Sequence, residues 1–337
     1  RGRRGDVEVD DVRERDGQIV HYCGGPVEAG AEVAGVIDWD RRFDFMQQHS
    51  GEHIVSGILC GAFQCDNVGF HIGHELVTID FNRELSAEEV AEVERRANRY
   101  IWEDHPAEAS LPSPAQLEGM AYRSKKALSG QVRIVTWPGA DCCACCGTHV
   151  RSSGQVGLVK LISCQRFREG VRIEMAAGGR ALAWMNTIAG QNAAVSQLLS
   201  AKPRSTAPAV ERLQKELYAL RGRVAALEER DFAGTAAQYA GAGDVLLVES
   251  PMSPESLRKL CGMVQERCGG RCAVFAGDGV SYQYAVSEPG GDLRSGAKAL
   301  NAALGGRGGG KPEFVQGSVR CGEAALRAAW ERCFGGR

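Results

Sequence analysis

Nowhere in the 337 residues does an apolar run approach the ~20 positions that a membrane-crossing helix needs, so no spanning helix is expected. No charge excess announces a polyanionic partner either. Against 40 Lys and Arg stand 42 Asp and Glu, leaving a formal charge of −2. Any nucleic-acid contact must therefore come from local clusters rather than a global field. The start shows no secretory n-region and h-region, although Arg1-Gly2-Arg3-Arg4 is basic. Long-period repeats and low-complexity tracts are missing. Histidine is scarce, with seven in the chain, which makes its spacing informative.

Apolar residues make up 44% of the sequence, enough for real cores. The length fits about two domains. Cysteine is the conspicuous surplus: thirteen, an odd number, bunched at 142–146 rather than spread as a disulfide framework. A chain of this size needs no disulfide staples, so the pattern favours a reducing, cytoplasmic setting with buried or metal-binding thiols.

Alternating runs at Val7–Asp10, Gln18–His21 and Ala31–Asp38, separated by glycine turns, predict strands of a partial small β-domain over 1–40. A helix is predicted from about Asp40 to Ala62, then short strands at 69–73 and 76–80. A second helix follows, capped by Ser86, with Glu88 and Glu89 at its start and Arg95, Arg96 and Arg99 near its end. Strands at 131–136, 155–164 and 171–175 complete an α+β domain over 41–200, which a helix from Gly179 to Leu199 closes. After a break at Lys202–Pro208, the residues Val210, Leu213, Leu217, Leu220, Val224 and Leu227 form a heptad seam in a helical linker, 201–240. Such a seam packs on its own domain or pairs chains in a homodimer. From 241 to 337, strands at 245–248 and 272–275 alternate with helices at 253–267, 292–304 and 322–333, giving a small α/β domain.

Two histidines, His49 and His53, lie four apart on the predicted helix and so share a face. Far downstream, Cys145 and His149 form a second pair, with Gly147 expected to turn the chain sharply between them. Three imidazoles and one thiolate suit tetrahedral zinc. Two other readings stay open. His49-Ser50-Gly51-Glu52-His53 fits the inverted zinc-peptidase pattern H-x-x-E-H, with Glu52 as general base and Glu92 or Glu94 as a third ligand. A cysteine knuckle of Cys142, Cys143 and Cys146 is the other, ranked lower because adjacent cysteines point in different directions.

The stretches Ile37–His49, Val68–Gly73 and Cys145–Val150, with a glycine-rich tail at Gly305–Pro312, resemble the long form of the AlaX proteins. These are freestanding relatives of the editing domain of alanyl-tRNA synthetase. The resemblance implies a zinc-containing editing domain of the threonyl/alanyl-tRNA synthetase type and a DHH-associated C-terminal domain. It also implies hydrolysis of seryl or glycyl esters from alanine tRNA, in trans, with zinc as cofactor and tRNA as partner. In that setting His71, Gln48 (with Gln47) and Thr148 are the candidate pocket, hydrogen-bonding and ligand-orienting residues. Arg123-Ser124-Lys125-Lys126, Lys202 with Arg204, and Arg307 with Lys311 are candidate phosphate contacts. The chain departs from the family in three places. No glycine-rich loop precedes Asp6, and Ser50 stands where the synthetase version has threonine. A lysine, Lys311, follows the tail glycines where DHH-associated phosphoesterases carry histidine. Pro312 also occupies the Ser/Thr position of a P-loop, which argues against nucleotide binding.

Overall fold

A computed structural model describes residues 2–124 and 130–335. They form two compact units, divided between Leu198 and Leu199.

Unit 1 opens with a four-stranded antiparallel sheet: β1 (Gly2–Arg4), β2 (Val7–Arg15), β3 (Gln18–Cys23) and β4 (Gly35–Ile37), in the order β3-β2-β1-β4. It is thin, with Val9 its one fully buried apolar side chain. The third strand expected from Ala31 shortens to β4, and β1 is an addition.

Helix α1 (Trp39–Phe63) follows at once. Asp38 caps it by accepting from the Arg41 amide at 3.2 Å, and Gln64 ends it in the left-handed region. Its middle, from Ser50 to Leu59, is buried all round. Two glycines allow that. A Cβ on Gly51 would lie 2.9 Å from the Ala177 Cβ, and one on Gly57 would lie 2.3 Å from the Ala140 carbonyl oxygen.

Around α1 stand β5 (Asn67–Ile72), β6 (Val77–Phe81), α2 (Ala87–Trp102), β7 (Glu108–Ser110), α3 (Pro114–Glu118), β8 (Ile134–Trp137), β9 (Asp141–Ala144), β10 (Val159–Phe167), β11 (Gly170–Ala177) and α4 (Gly178–Leu198). An antiparallel sheet β10-β11-β6-β5 and helix α2 enclose a core of Ile54, Leu59, Ile79, Phe81, Ile101, Ile173 and Met175. Ser86 closes a full capping box at α2. The smaller sheet β7-β8-β9 places a strand inside the cysteine cluster, where a loop between strands was expected. The metal-candidate loop therefore leaves directly from the end of β9.

Unit 2 holds α5 (Thr206–Gln238), β12 (Gly243–Glu249), α6 (Pro254–Cys268), β13 (Gly269–Gly277), β14 (Ser281–Ser287), α7 (Arg294–Ala303), β15 (Arg307–Lys311), β16 (Phe314–Arg320) and α8 (Glu323–Phe334). The sheet order is β12-β13-β14-β16-β15, parallel only between β12 and β13. One face packs on α6 and the end of α5, the other on α7 and α8. The glycine tail is β15, an edge strand paired with β16, and so not a phosphate-cradling loop. Lacking a side chain, Gly308 can sit close against β16: a Cβ there would lie 2.4 Å from the Gln316 carbonyl oxygen.

Candidate metal centre

His49 and His53 project from α1, as their spacing requires, toward the loop after β9. There the side-chain donors of His49, His53, Cys145 and His149 lie within 4.8 Å of one another. Cys145 Sγ is 3.4 Å from His49 Nε2 and 3.8 Å from His149 Nε2. A tetrahedron with Zn–N of ~2.0–2.1 Å and Zn–S of ~2.3 Å has an N···S edge of ~3.6 Å, so the donor set fits a zinc ion in both spacing and chemistry. His53 is fully buried while the other three are half-buried, so the cluster is closed behind and open in front.

The ring nitrogens are sorted by their partners. His49 Nδ1 lies 3.2 Å from the Thr148 carbonyl oxygen, which only accepts. The Nδ1 proton goes there, and Nε2 keeps its lone pair for the cluster. His53 Nδ1 meets the Asp141 carboxylate at 2.8 Å with the same consequence. Phe70 on β5 stacks on the His49 ring at 5.6 Å and 16°. Arg133 Nη1 donates to the carbonyls of Cys145 (2.9 Å) and Gly147 (3.1 Å) and so shapes the loop. Ser50 accepts from the Val150 amide at 3.1 Å, so a serine hydroxyl does tie the helix to the loop at this position.

Electrostatics prepare the cluster for a cation. Burial pushes the Cys145 thiol up, but its contacts with the His149, His49 and His53 rings outweigh it and bring it down to about 3. Burial pushes His53 down, yet its bonds to Asp141 and Cys145 lift it to about 9. Burial leads in holding His149 below its ordinary value. For Asp141, burial acts upward and is outweighed by the bonds to His53 and Arg123, which hold the carboxyl low.

Several expectations need correction. Gln48 is buried and does not face the cluster: its amide nitrogen donates to the Ala177 carbonyl (2.9 Å) and its oxygen accepts from the Ala177 amide (2.8 Å). It staples α1 to β11. Gln47 donates to the Gln155 carbonyl at 3.0 Å. His71 is exposed on β5, and side chains alternate along a strand, so it projects from the face opposite Phe70. Thr148 meets His49 through its backbone carbonyl, not its side chain.

Gly147 does not adopt a left-handed turn. It is needed because a Cβ there would fall 2.3 Å from the His49 ring. Glu52 accepts from Ser56 (2.8 Å) and Asn67 (2.7 Å) in a buried network and is not poised as a base. Neither Glu92 nor Glu94 joins the cluster: Glu92 pairs with Arg95, and Glu94 with Lys160. Among the described residues no trio of Cys142, Cys143 and Cys146 assembles: Cys146 is exposed, and Cys142 contacts Thr136. All thirteen cysteines are unpaired. Arg123 spends its charge on Asp141, not on phosphate. Lys125 and Lys126 lie outside the described residues.

Residues 132–174 match the threonyl and alanyl tRNA synthetase second additional domain, and residues 241–333 match the DHHA1 domain. The alanyl-tRNA editing protein Aarsd1 of Mus musculus is 31% identical over 221 residues, covering 64% of this chain and 53% of that protein. Aarsd1-B of Xenopus laevis is 31% identical over 225 residues, covering 65% and 55%. An alanine–tRNA ligase of Methanoregula boonei is 29% identical over 337 residues, covering 92% of this chain and 35% of the ligase. The chain thus spans about half the length of the Aarsd1 proteins and about a third of that ligase. With the synthetase second additional domain around the cysteine–histidine loop and the DHHA1 domain in unit 2, this chain is homologous to the alanyl-tRNA editing protein Aarsd1 and to alanyl-tRNA synthetase.

Proposed function

We propose that the chain is a zinc-dependent aminoacyl-tRNA deacylase that clears seryl or glycyl esters from alanine tRNA in trans. The observation that carries this reading is the convergence of His49 and His53 with Cys145 and His149, the latter pair inside the matched second additional domain, in a chain similar to alanyl-tRNA editing proteins. A zinc ion held there would supply positive charge for an ester carbonyl or for a water. The protein's own contribution is orientation. The Thr148 carbonyl and the Asp141 carboxylate point Nε2 of His49 and His53 inward, and Phe70 fixes the His49 ring plane. Ile37, Asp38, Arg41, Arg42, Phe45 and Thr148 line a cleft of about 150 Å³, which Thr148 links to the metal-candidate loop. Arg41 and Arg42 have no carboxylate partner among the described residues, which suits them to the phosphates of an incoming acceptor end.

A cleft of about 660 Å³ in unit 2 is a separate feature, lined by Arg307 and Arg320 at one end of the sheet. With Lys311, and with Lys202 and Arg204 near the start of unit 2, it supports tRNA contact by backbone recognition rather than chemistry. The seam from Val210 to Leu227 is 38–62% exposed in the single chain and supports a homodimer through α5 and the C-terminal domain.

One observation favours a second reading. Four protein donors make a closed site, typical of structural zinc, which fits a tRNA-binding protein without turnover. The peptidase reading has less support, because Glu52 is held in its own buried network. Ester release from seryl- and glycyl-tRNA, measured with wild type and Cys145→Ala, separates them. Hydrolysis by wild type that Cys145→Ala loses supports the deacylase. Binding without turnover supports the second reading, and cleavage of peptides alone the peptidase.

A further inference from the structure

Behind the cluster lies a buried carboxylate, held by one buried ring and one partly buried guanidinium. Asp141, at the start of β9, has a side chain 1% exposed, and the His53 side chain it meets is 3% exposed. Arg123 grips both carboxylate oxygens, from Nε to Oδ1 at 2.7 Å and from Nη2 to Oδ2 at 2.8 Å. This is the bidentate geometry that only a guanidinium supplies. Arg123 is itself laced to β9: its amide donates to the Cys142 carbonyl (2.8 Å), and its carbonyl accepts from the Ala144 amide (2.9 Å). Gly57 lets α1 approach this corner, since a Cβ there would meet Asp141 as well as Ala140.

A rival arrangement sits in the same place. His53, Asp141 and Cys143 also bring nitrogen, oxygen and sulfur within 4.8 Å of one another, all buried. An Asp141 carboxylate released from Arg123 would be a ligand for a cation rather than a support for one.

We infer that Asp141 and Arg123 are positioning residues for the metal centre: Asp141 presents His53 through Nε2, and Arg123 holds Asp141 in that role and out of coordination. The inference rests on the reading of the front cluster as a metal site. Removing Arg123 frees one carboxylate oxygen and lets the ring of His53 turn. Removing the charge of Asp141 lowers the basicity of the His53 ring and loosens its orientation.

The test uses the full chain as wild type, Asp141→Asn, Arg123→Met, Arg123→Lys and Arg172→Met. The last breaks an ion pair with Asp80 on the distant β11–β6 ladder and serves as control. Zinc affinity is read by chelator competition, the coordination sphere by the visible spectrum of the Co²⁺-loaded protein, and folding by thermal melts. Asp141→Asn and Arg123→Met are expected to weaken zinc binding roughly 10–100-fold and to shift the Co²⁺ d–d bands. Arg123→Lys recovers part of the loss, and Arg172→Met binds as wild type. Affinities within twofold of wild type and unshifted bands in both variants overturn the inference. A loss that merely follows melting temperature, in Arg172→Met as in the others, overturns it too.

Should the variants not fold, the wild type decides alone. Long-range ¹H–¹⁵N spectra of the zinc-loaded protein show which His53 nitrogen bears the proton. Protonation at Nδ1 is expected, and protonation at Nε2 contradicts the assignment. A wild type that takes up no zinc removes both this inference and the metal site it rests on. A wild type that binds, with variants that bind equally, removes only this one.

Discussion

Gly147 shows how closely the loop is fitted to the helix. The His49 Cε1 lies 2.3 Å from where a Cβ would stand, and the ring also stacks on Phe70 and on His149. Gly147→Ala is therefore expected to tilt His49 away and weaken zinc binding at least ~10-fold, the scale seen when ligand orientation is lost. Chelator competition checks this, and an unchanged affinity would show that the loop has room.

His53 carries a pH prediction. In the metal-free chain it is raised from 6.5 to about 9, so the folded state holds the proton more tightly than the unfolded one. That contribution is complete below pH 6.5 and disappears as pH rises through about 9. Asp141 works in the opposite sense: lowered from 3.8, it stabilises above that pH and stops doing so on further acidification. Melts with chelator present should fall from pH 6.5 toward pH 9.5. Zinc affinity should rise over the same interval, because the ion needs neutral His53. A metal-free melting temperature that climbs across the interval would contradict the assignment.

At the scale of elements, α1 is where most of the chemistry and much of the packing meet. Its two histidines were legible because a four-residue spacing has one geometric meaning on a helix. The Cys145/His149 pair was legible because cysteine and histidine are rarely so close without purpose. Asp141 and Arg123 were not. They stand 88 and 70 positions from His53, and no local pattern marks a carboxylate as the partner of a distant ring. Phe70 and His71 were confused because neighbouring strand residues differ only in which face they take, and the register with β6 decides that.

Gln48 looked available because it adjoins a ligand, whereas one helical step turns it by 100° into the core. The staple predicts a stability effect. Gln48→Ala leaves the amide and carbonyl of Ala177 unpaired, costing roughly 1–3 kcal/mol for each. The melting temperature should drop while the deacylation rate of folded protein changes little. A collapsed rate at an unchanged melting temperature would return Gln48 to the substrate pocket.

For the whole molecule, two compact units answer to two matched domains. The order of elements in unit 2 followed from alternating strands and helices. Its β14, β15 and β16 went unread; in β15 a run of three glycines carries no periodicity. No helix among the described residues is long and apolar enough to cross a membrane. The exposed seam on α5 makes a prediction at this scale. Leu213→Glu with Leu220→Glu should convert a dimer to a monomer in sedimentation equilibrium without changing the melt of unit 2, since neither side chain belongs to its core. A wild type that sediments as a monomer would assign the seam to packing within the chain.

All of this requires that α1 and the loop after β9 close around one ion. X-ray absorption at the zinc edge of purified wild-type protein tests it most directly. One zinc per chain is expected, with a shell of three nitrogens at ~2.0–2.1 Å and one sulfur at ~2.3 Å, the sulfur vanishing in Cys145→Ala. A zinc shell with two or more sulfurs, a shell of oxygen alone, or a protein that copurifies with no zinc and takes up none would contradict it.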